Sequence, residues 1–285
     1  MSFGLALAGG GLKGVAHIGV FKALEELDIK IDYISGTSSG SIFAAMYAMG
    51  FTISEMRDKT LENYKMLTKV TKKPLAKAAV TLATKGIAEI DGLMPSENIS
   101  ELIKVISKDK KIRNMSDVKV PLAIATVDTI STNECIFLSQ ECNKTYDNIE
   151  YLYNIPIDIA VRASMSFPGI YSTTNYGKYN FIDGGTKDNL PVKILKDMGA
   201  TNVLGLSFKF DPYVPKEDMM AILLRTVDIF SMKDVIAAQK EADLAYEIDA
   251  LGSSLLEIDD IDKIINAGYR VIMDNKEEIL KLVKD

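Results

Sequence analysis

The sequence predicts an α/β fold, built as a three-layer α/β/α sandwich with a mostly parallel central sheet and a helical cap insertion. Two segments near the start carry this prediction, because in each a short apolar run passes through a glycine-containing turn into a helical pattern. Further apolar runs typical of core strands follow at residues 121–128, 179–183 and 202–208. Strands that alternate with helices favour a parallel sheet covered on both faces.

The first segment is a strand at residues 3–8, followed by Gly9-Gly10-Gly11-Leu12-Lys13-Gly14 and then by a helix. The helix is amphipathic, and its apolar stripe consists of Ala16, Val20, Ala23, Leu24 and Leu27. A strand, a glycine loop and a helix N-terminus together form an anion-binding corner, because backbone N–H groups converge there with no side chains in the way.

Two interpretations of this corner remain open. Gly9-x-Gly11-x-x-Gly14 fits the dinucleotide-binding fingerprint, which also expects an acidic residue about 20 positions later, at the end of the next strand. Asp32 is a poor match for that residue, because it lies at the start of its strand. Alternatively, the N–H groups of Gly9, Gly10 and Gly11 form an oxyanion hole, in which one donor typically contributes ~3 to 4 kcal/mol of transition-state stabilisation. A Walker loop is excluded, since no Gly-Lys-Ser/Thr follows.

The second segment places Ser38 between two glycines, in Gly36-Thr37-Ser38-Ser39-Gly40. Residues 31–35 read as the preceding strand, and residues 42–49 read as a buried helix that ends at Gly50. Gly36 and Gly40 allow a tight turn and a close approach of substrate, which is the nucleophile-elbow pattern. The helix N-terminus also favours developing negative charge. Ser38 is therefore the candidate nucleophile.

A serine nucleophile needs a base, and the candidates are few. His17, the one histidine, precedes Ser38, so the Ser, acid, His order of an α/β-hydrolase triad is missing. We expect His17 to be a packed core residue. Asp183 is the best remaining base, because an apolar strand at 179–183 delivers it just before Gly184 and Gly185. Burial would raise its pKa from about 3.9 and make it a stronger base, whereas a plain surface turn is the alternative interpretation.

Composition limits the remaining possibilities. With 285 residues, 47% of them hydrophobic, and no low-complexity linker, we expect one domain over 1–285, with a cap at about 51–120 and a C-terminal helical part at about 215–285. No apolar run approaches the roughly 20 residues needed to span a bilayer, and the N-terminus lacks a charged leader, so we expect a cytoplasmic location. Two cysteines, Cys135 and Cys142, are read as free thiols, and a single histidine excludes a His-rich metal centre.

Charge is unevenly distributed along the chain. The net charge of −6 argues against nucleic acid as the main partner. Residues 57–85 carry eight basic and two acidic side chains, whereas residues 217–262 carry three basic and twelve acidic ones. We hypothesise that the basic cap docks on anionic lipid at the inner membrane face. The alternative is a solvated helical insertion, and the acidic C-terminal part is read as a solvated face.

Three blocks in this order resemble the signature of the patatin-like phospholipases: residues 9–14, 36–40 and Asp183-Gly184-Gly185. Residues 163–168 resemble the family's Ala-Ser-x-Ser-x-Pro block, and Asn189-x-Pro191 is similar too. The resemblance implies the patatin-like fold and a Ser38–Asp183 dyad that works without histidine. It also implies an oxyanion hole around Gly9, Gly10 and Gly11, with Lys13, Gly14, Gly36, Gly40, Gly184 and Gly185 as motif support, and it calls for no metal or cofactor.

The function implied by the resemblance is hydrolysis of lipid or phospholipid esters through an acyl-enzyme at Ser38. A thioesterase or an acyltransferase would use the same dyad, and a dinucleotide-binding protein would use only the glycine loop. Elsewhere in the chain we expect helices at residues 155–164, 221–245 and 261–284. The sequence leaves the head group, the acyl-chain length and the oligomeric state open.

Overall fold

The computed structural model describes residues 1–67, 73–87, 89–210, 219–250 and 261–284. Its strands are β1 (Phe3–Leu7), β2 (Tyr33–Thr37), β3 (Gly92–Met94), β4 (Leu122–Asp128), β5 (Glu134–Leu138), β6 (Ile149–Leu152), β7 (Gly169–Tyr171), β8 (Thr174–Tyr176), β9 (Tyr179–Asp183), β10 (Asn202–Phe208) and β11 (Leu244–Ile248). Its α-helices are α1 (Ala16–Glu26), α2 (Ser39–Ala48), α3 (Ile53–Leu67), α4 (Lys73–Lys85), α5 (Glu97–Asp109), α6 (Ile157–Ser164), α7 (Val192–Met198), α8 (Met219–Glu241), α9 (Ile261–Asp274) and α10 (Lys276–Lys284).

The central sheet is mostly parallel. Within the described residues it has nine strands, in the order β11-β10-β1-β2-β4-β5-β6, with β9 pairing β4 and β8 pairing β9. The five strands from β11 to β4 are parallel to their neighbours. Both β5 and β9 run antiparallel to β4, so the sheet is mixed at one end. The predicted sheet is confirmed.

Alternation along β1 explains the three layers. Phe3, Leu5 and Leu7 point to one face and belong to the main core with residues of α1, α2 and α9. Ala6 and Ala8 point to the other face and pack with residues of α7. Successive side chains of a strand face opposite ways, so a strand that is apolar at every position is buried between two helical layers.

The predicted helical insertion is present between α2 and β4. It contains α3, α4 and α5, together with β3, which pairs in parallel with β7 to form a separate two-stranded sheet. Ion pairs attach it to other parts of the chain, such as Arg57 of α3 to Asp262 of α9 at 3.0 Å. Whether the whole chain is one domain stays a prediction.

The C-terminal part differs from its predicted form. The helix expected at 221–245 ends at Glu241, and β11 then extends the sheet by pairing Leu204 with Leu244. The alternation of Leu244-Ala245-Tyr246-Glu247-Ile248 is the signal for a strand that the helical interpretation passed over. The helix expected at 261–284 is divided at Asn275 into α9 and α10. Residues 215–218, 251–260 and 285 of the predicted C-terminal part lie outside the described residues.

None of the helices in the described ranges combines the length and the apolar character that crossing a bilayer requires.

Candidate active site

Strand β4 brings the two candidate catalytic residues together. The parallel strand β2 ends opposite Ala125, where it pairs Thr37 with Ala125. The antiparallel strand β9 arrives from the other direction and ends opposite the next residue, where Asp183 pairs with Thr126. Both strands lie on the same edge of β4, since β5 occupies its other edge. Ser38, which follows Thr37, and Asp183 therefore meet where the two strands abut.

Ser38 occupies a sharp turn between β2 and α2. Its backbone angles, φ 51° and ψ −127°, lie in a region that side-chain-bearing residues rarely adopt. The predicted elbow is thus present, with its strain at the serine itself. The residues of α2 are all described, and the Ser38 hydroxyl makes no capping hydrogen bond to its N-terminus. The side chain instead lines a cleft that Asp183 also lines.

Asp183 is buried at the C-terminal end of β9, with 1% of its surface exposed. Its Oδ1 accepts a hydrogen bond from the Gly185 amide at 2.8 Å. Among the described residues, no hydrogen bond of normal geometry reaches its buried Oδ2. Burial raises the pKa of Asp183 from 3.8 to about 7, although the nearby Ser38 hydroxyl and the Gly185 amide oppose the increase. A carboxylate with this pKa is a competent base at neutral pH.

The glycine loop lies directly against Ser38. A Cβ added to Gly9 would stand 2.6 Å from the Ser38 Cβ, so only glycine allows this approach. The Gly9 amide donates to Asn189 Oδ1 at 3.0 Å, and the Gly10 amide donates to Ser39 Oγ at 3.1 Å. Two of the three predicted oxyanion donors therefore have side-chain acceptors here. Gly11, at φ 60°, turns the chain and also lines the cleft.

The other motif residues surround this loop. Lys13 is buried, and its Nζ lies 3.4 Å from the carbonyl oxygen of Lys209. A Cβ at any of five glycines would overlap or crowd neighbouring atoms. These glycines are Gly14, Gly36, Gly40, Gly184 and Gly185. Their lack of side chains lets the elbow, the loop and the Asp183 turn pack in contact.

The block at residues 163–168 holds both candidate catalytic residues, a role that sequence reasoning did not assign. Ser164 Oγ accepts a hydrogen bond from the Ser38 amide at 2.9 Å and donates to the Ala125 carbonyl at 2.7 Å. The Ser166 carbonyl accepts from the Asp183 amide at 3.0 Å. The two serines of the motif thus fix the elbow and the carboxylate on one framework.

Asn189 connects the glycine loop to the turn after Asp183. Besides accepting from the Gly9 amide, its Nδ2 lies 3.4 Å from the Gly9 carbonyl oxygen. Its side chain also lies beside Gly185. The sequence showed Asn189 only as part of a motif, without a role.

His17 is a core residue, as expected. It is fully buried, its Nε2 lies 3.0 Å from the Ala8 carbonyl oxygen, and its ring packs against Phe43 and Phe208. Burial lowers the pKa of His17 from 6.5 to about 4, against the opposing effect of the hydrogen bond to Ala8. The neutral ring is not among the residues that line the cleft.

The cleft encloses about 1320 Å³ of empty space, part of it open to solvent. Most of its wall is apolar, with contributions from α2, α5 and the chain that follows α6. These residues are Ile42, Phe43, Met46, Leu102, Ile106, Met165, Phe167, Ile170 and Tyr171. Polar side chains of α3 and α8 form another part: Lys59, Thr60, Asn63, Asp228 and Ser231. The cleft thus offers an apolar chain a place to lie beside Ser38.

Comparisons with known proteins agree on one protein family. The sequence profile of the family described as patatin-like phospholipase matches residues 5–196. Patatin-like phospholipase domain-containing protein 6 of Mus musculus is 29% identical over 204 residues, which are 71% of this chain and 13% of that protein. Lysophospholipase NTE1 of Debaryomyces hansenii is 31% identical over 206 residues, 72% of this chain and 12% of that protein. The chain thus spans about an eighth of the length of these curated relatives.

Solved structures agree on the fold. VipD from Legionella pneumophila matches with a TM-score of 0.53 and 14% identity, over 97% of this chain and 67% of that one. The type III effector protein ExoU matches with a TM-score of 0.50 and 15% identity, over 97% of this chain and 53% of that one. At these identities the likeness concerns the fold alone. The sequence profile covers well over half of the chain. The chain belongs to the patatin-like phospholipase family.

Proposed function

We propose that this chain is a lipid acyl hydrolase that cleaves carboxylic ester bonds of lipids or phospholipids. Ser38 is the nucleophile and Asp183 is the base. The observation that supports the proposal is the meeting of β2 and β9 on β4, where a serine of positive φ lies near a buried carboxyl whose pKa is raised to about 7. Family membership and the relatives named as phospholipase and lysophospholipase support the same reaction class.

The reaction proceeds in two acyl transfers. Ser38 Oγ attacks the ester carbonyl carbon while Asp183 accepts the hydroxyl proton. The tetrahedral intermediate collapses, the bond to the alkoxy oxygen breaks, and Asp183 returns the proton to the leaving alcohol. Water then attacks the acyl-enzyme with Asp183 again as base, and the fatty acid leaves as Ser38 recovers its proton.

The amides of Gly9, Gly10 and Gly11 are the proposed oxyanion donors. Two of them now donate to neutral oxygens of Asn189 and Ser39. A negatively charged oxygen is a stronger acceptor than a neutral one, so the developing oxyanion competes well for these donors. The N-terminus of α2 at Ser38 adds a further favourable field.

The cleft supports a substrate with a long acyl chain. Each methylene transferred from water to its apolar wall stabilises the complex by ~0.8 kcal/mol, equivalent to about fourfold in kcat/KM. We expect kcat/KM for p-nitrophenyl esters to rise from butanoate to dodecanoate. A phospholipid, a monoacyl lipid and an acyl-thioester assayed side by side identify the leaving group that the site prefers.

Active-site labelling tests the dyad. A fluorophosphonate probe is expected to modify Ser38, located by peptide mapping, and the Asp183→Asn variant is expected to lose labelling while it stays folded. His17→Gln is the matched control, because His17 is buried outside the cleft lining and its replacement should leave labelling in place. Label on another residue, or undiminished ester cleavage by Ser38→Ala, would contradict the proposal.

We also propose that the basic region at 57–85 contacts anionic lipid. Its support is α4, where Val80 and Leu82 are exposed together with Lys77. Several basic residues of the region are engaged elsewhere, since Lys59 lies 3.4 Å from Asp109 and Lys85 lies 2.7 Å from Glu89.

Liposome co-sedimentation of a variant with Lys69, Lys72 and Lys73 neutralised tests this contact; Lys69 and Lys72 lie outside the described residues. Weaker binding to anionic liposomes is expected. Binding that is unchanged in the variant, or indifferent to anionic lipid content, would refute it.

A further inference from the structure

The solvent side of α8 carries a regular stripe of isoleucines and basic residues. The stripe recurs at spacings of three and four, so its members share one helical face. In order it consists of Ile222, Arg225, Ile229, Lys233, Ile236 and Lys240. Between its ends the stripe is about 27 Å long at 1.5 Å per residue.

The apolar members of this face are unusually exposed. Ile222, Ile229 and Ile236 are 51%, 57% and 44% exposed, and the adjacent Phe230 is 67% exposed. Single exposed apolar side chains are normal, but four along one helix face require an explanation. The opposite side of α8 faces the protein, because Val227 and Ser231 line the catalytic cleft and Val235 is buried.

Charge on this face is basic, although the surrounding segment is acidic. Lys233 and Lys240 are exposed on the stripe, while Arg225 is partly buried beside Asp228. Asp228 lines the cleft, while Asp234 and Glu241 are exposed at the flank of the stripe, on the same side as Phe230. The exposed isoleucines are thus interleaved with positive charge, and the nearest exposed acids lie on the Phe230 flank.

We propose that the face defined by Ile222, Ile229, Phe230, Lys233, Ile236 and Lys240, hereafter the α8 face, is a docking surface for an anionic lipid bilayer. Isoleucine and phenylalanine bury their side chains at the boundary between head groups and acyl chains, and lysine stems extend along it with their ammonium groups among anionic head groups. A protein partner fits this face less well, since lysine is depleted in the cores of protein–protein interfaces.

Docking through the α8 face would hold the cleft within about one helix diameter, roughly 10 Å, of the bilayer. The helix that contacts lipid is also a wall of the cleft, through Val227, Asp228 and Ser231. The benefit to catalysis rests on the proposed function, because only a lipid hydrolase gains from having its cleft at the bilayer. The surface itself is testable without catalysis.

The test is co-sedimentation of the whole chain with vesicles of ether-linked lipids, which an ester hydrolase cannot cleave. Vesicles of equal parts phosphatidylglycerol and phosphatidylcholine are compared with pure phosphatidylcholine. Wild type is expected to bind the anionic vesicles at least tenfold more strongly. Ile229→Ser combined with Phe230→Ser is expected to reduce this binding at least tenfold. Lys233→Gln combined with Lys240→Gln is expected to reduce it by about tenfold or more on anionic vesicles only.

Ile130→Ser is the matched control, because Ile130 is 69% exposed in the connection between β4 and β5 and does not belong to α8. It should bind within twofold of wild type. All variants should cleave a soluble short-chain ester at the wild-type rate. Vesicle binding without ester cleavage would refute the proposed function and leave the α8 face standing.

Three results would overturn the inference: no binding by wild type, undiminished binding by both double variants, or a dimer in solution that the Ile229→Ser, Phe230→Ser change converts to monomer. The last would show that the face joins two copies of the chain.

Discussion

Replacing Asp183 with asparagine should stabilise the fold, and more so at alkaline pH than at acid pH. Burial raises the pKa of Asp183 from 3.8 to about 7, so the folded state holds a proton that the unfolded chain releases. The stability contributed by this group is therefore complete below pH 3.8 and is lost as the pH rises towards 7. Asparagine has no charge to bury and keeps an oxygen that can accept from the Gly185 amide.

The magnitude follows from the two pKa values. Between pH 5 and pH 8 the linkage relation gives a loss of about 2 to 3 kcal/mol of unfolding free energy in wild type that the Asp183→Asn variant escapes. The quantity to measure is the difference in unfolding free energy between variant and wild type, from urea titrations at both pH values. Other titrating groups, including His17, are present in both proteins and cancel in the subtraction.

Asp117 provides the matched control for this experiment. The amides of Asn114 and Arg113 donate to its carboxylate and lower its pKa, and it lies outside the cleft lining. Because this carboxyl is ionised in both the folded and the unfolded chain at pH 5 and above, the Asp117→Asn difference should be the same at pH 5 and pH 8. If the Asp183→Asn difference is the same at pH 5 and pH 8, burial does not raise the pKa of Asp183, and its proposed role as a base at neutral pH loses its physical support.

Three further predictions concern catalysis. The kcat/KM for a soluble ester should rise with pH through an apparent pKa near 7, because the free enzyme needs Asp183 ionised; a midpoint near 4 in a pH–rate profile would contradict this. Gly9→Ala should lower kcat about 10²- to 10³-fold with the fold intact by circular dichroism, because the added Cβ would stand 2.6 Å from the Ser38 Cβ and displace the loop. Asn189→Ala should lower kcat more than it changes KM, because Asn189 contacts both the amide and the carbonyl of Gly9 and ties the glycine loop to the turn after Asp183; wild-type steady-state kinetics would refute a positioning role.

The local parts of the candidate site were predictable because each depends on neighbouring residues. A serine between Gly36 and Gly40, after a strand and before a helix, has few conformations available, and the structure has the elbow there. The same holds for Asp183 at the end of an apolar strand. The proximity of Ser38 and Asp183 was not predictable from the local sequence pattern. It depends on β9 running antiparallel to β4 and ending, along β4, one residue beyond the end of β2. The family resemblance was the basis for predicting that Ser38 and Asp183 lie together.

Hydrogen bonds across long sequence separations were also beyond local reasoning. Ser164 and Asn189 lie 126 and 180 positions from the amides that they bind. Nothing in the residues beside them shows that a hydroxyl or an amide will face the elbow or the glycine loop. Their motif membership was the available signal, and a motif residue that is neither nucleophile nor base is a reasonable candidate for holding one of them in place.

Regional charge illustrates a different limit of sequence reasoning. Residues 217–262 are strongly acidic as a whole, and this composition predicts a solvated acidic face. The helical periodicity of α8 distributes these charged residues over different faces of the helix. Residues three and four apart share a face, whatever the net charge of the whole segment. Asp228 lines the cleft and Asp234 is exposed beside Phe230, while Lys233 and Lys240 are exposed beside isoleucines. A bilayer responds to the exposed face within about a Debye length, roughly 10 Å, rather than to the sum over the segment. The acidic average therefore gives no reason to exclude anionic lipid from α8, and the helical stripe gives a reason to test it there.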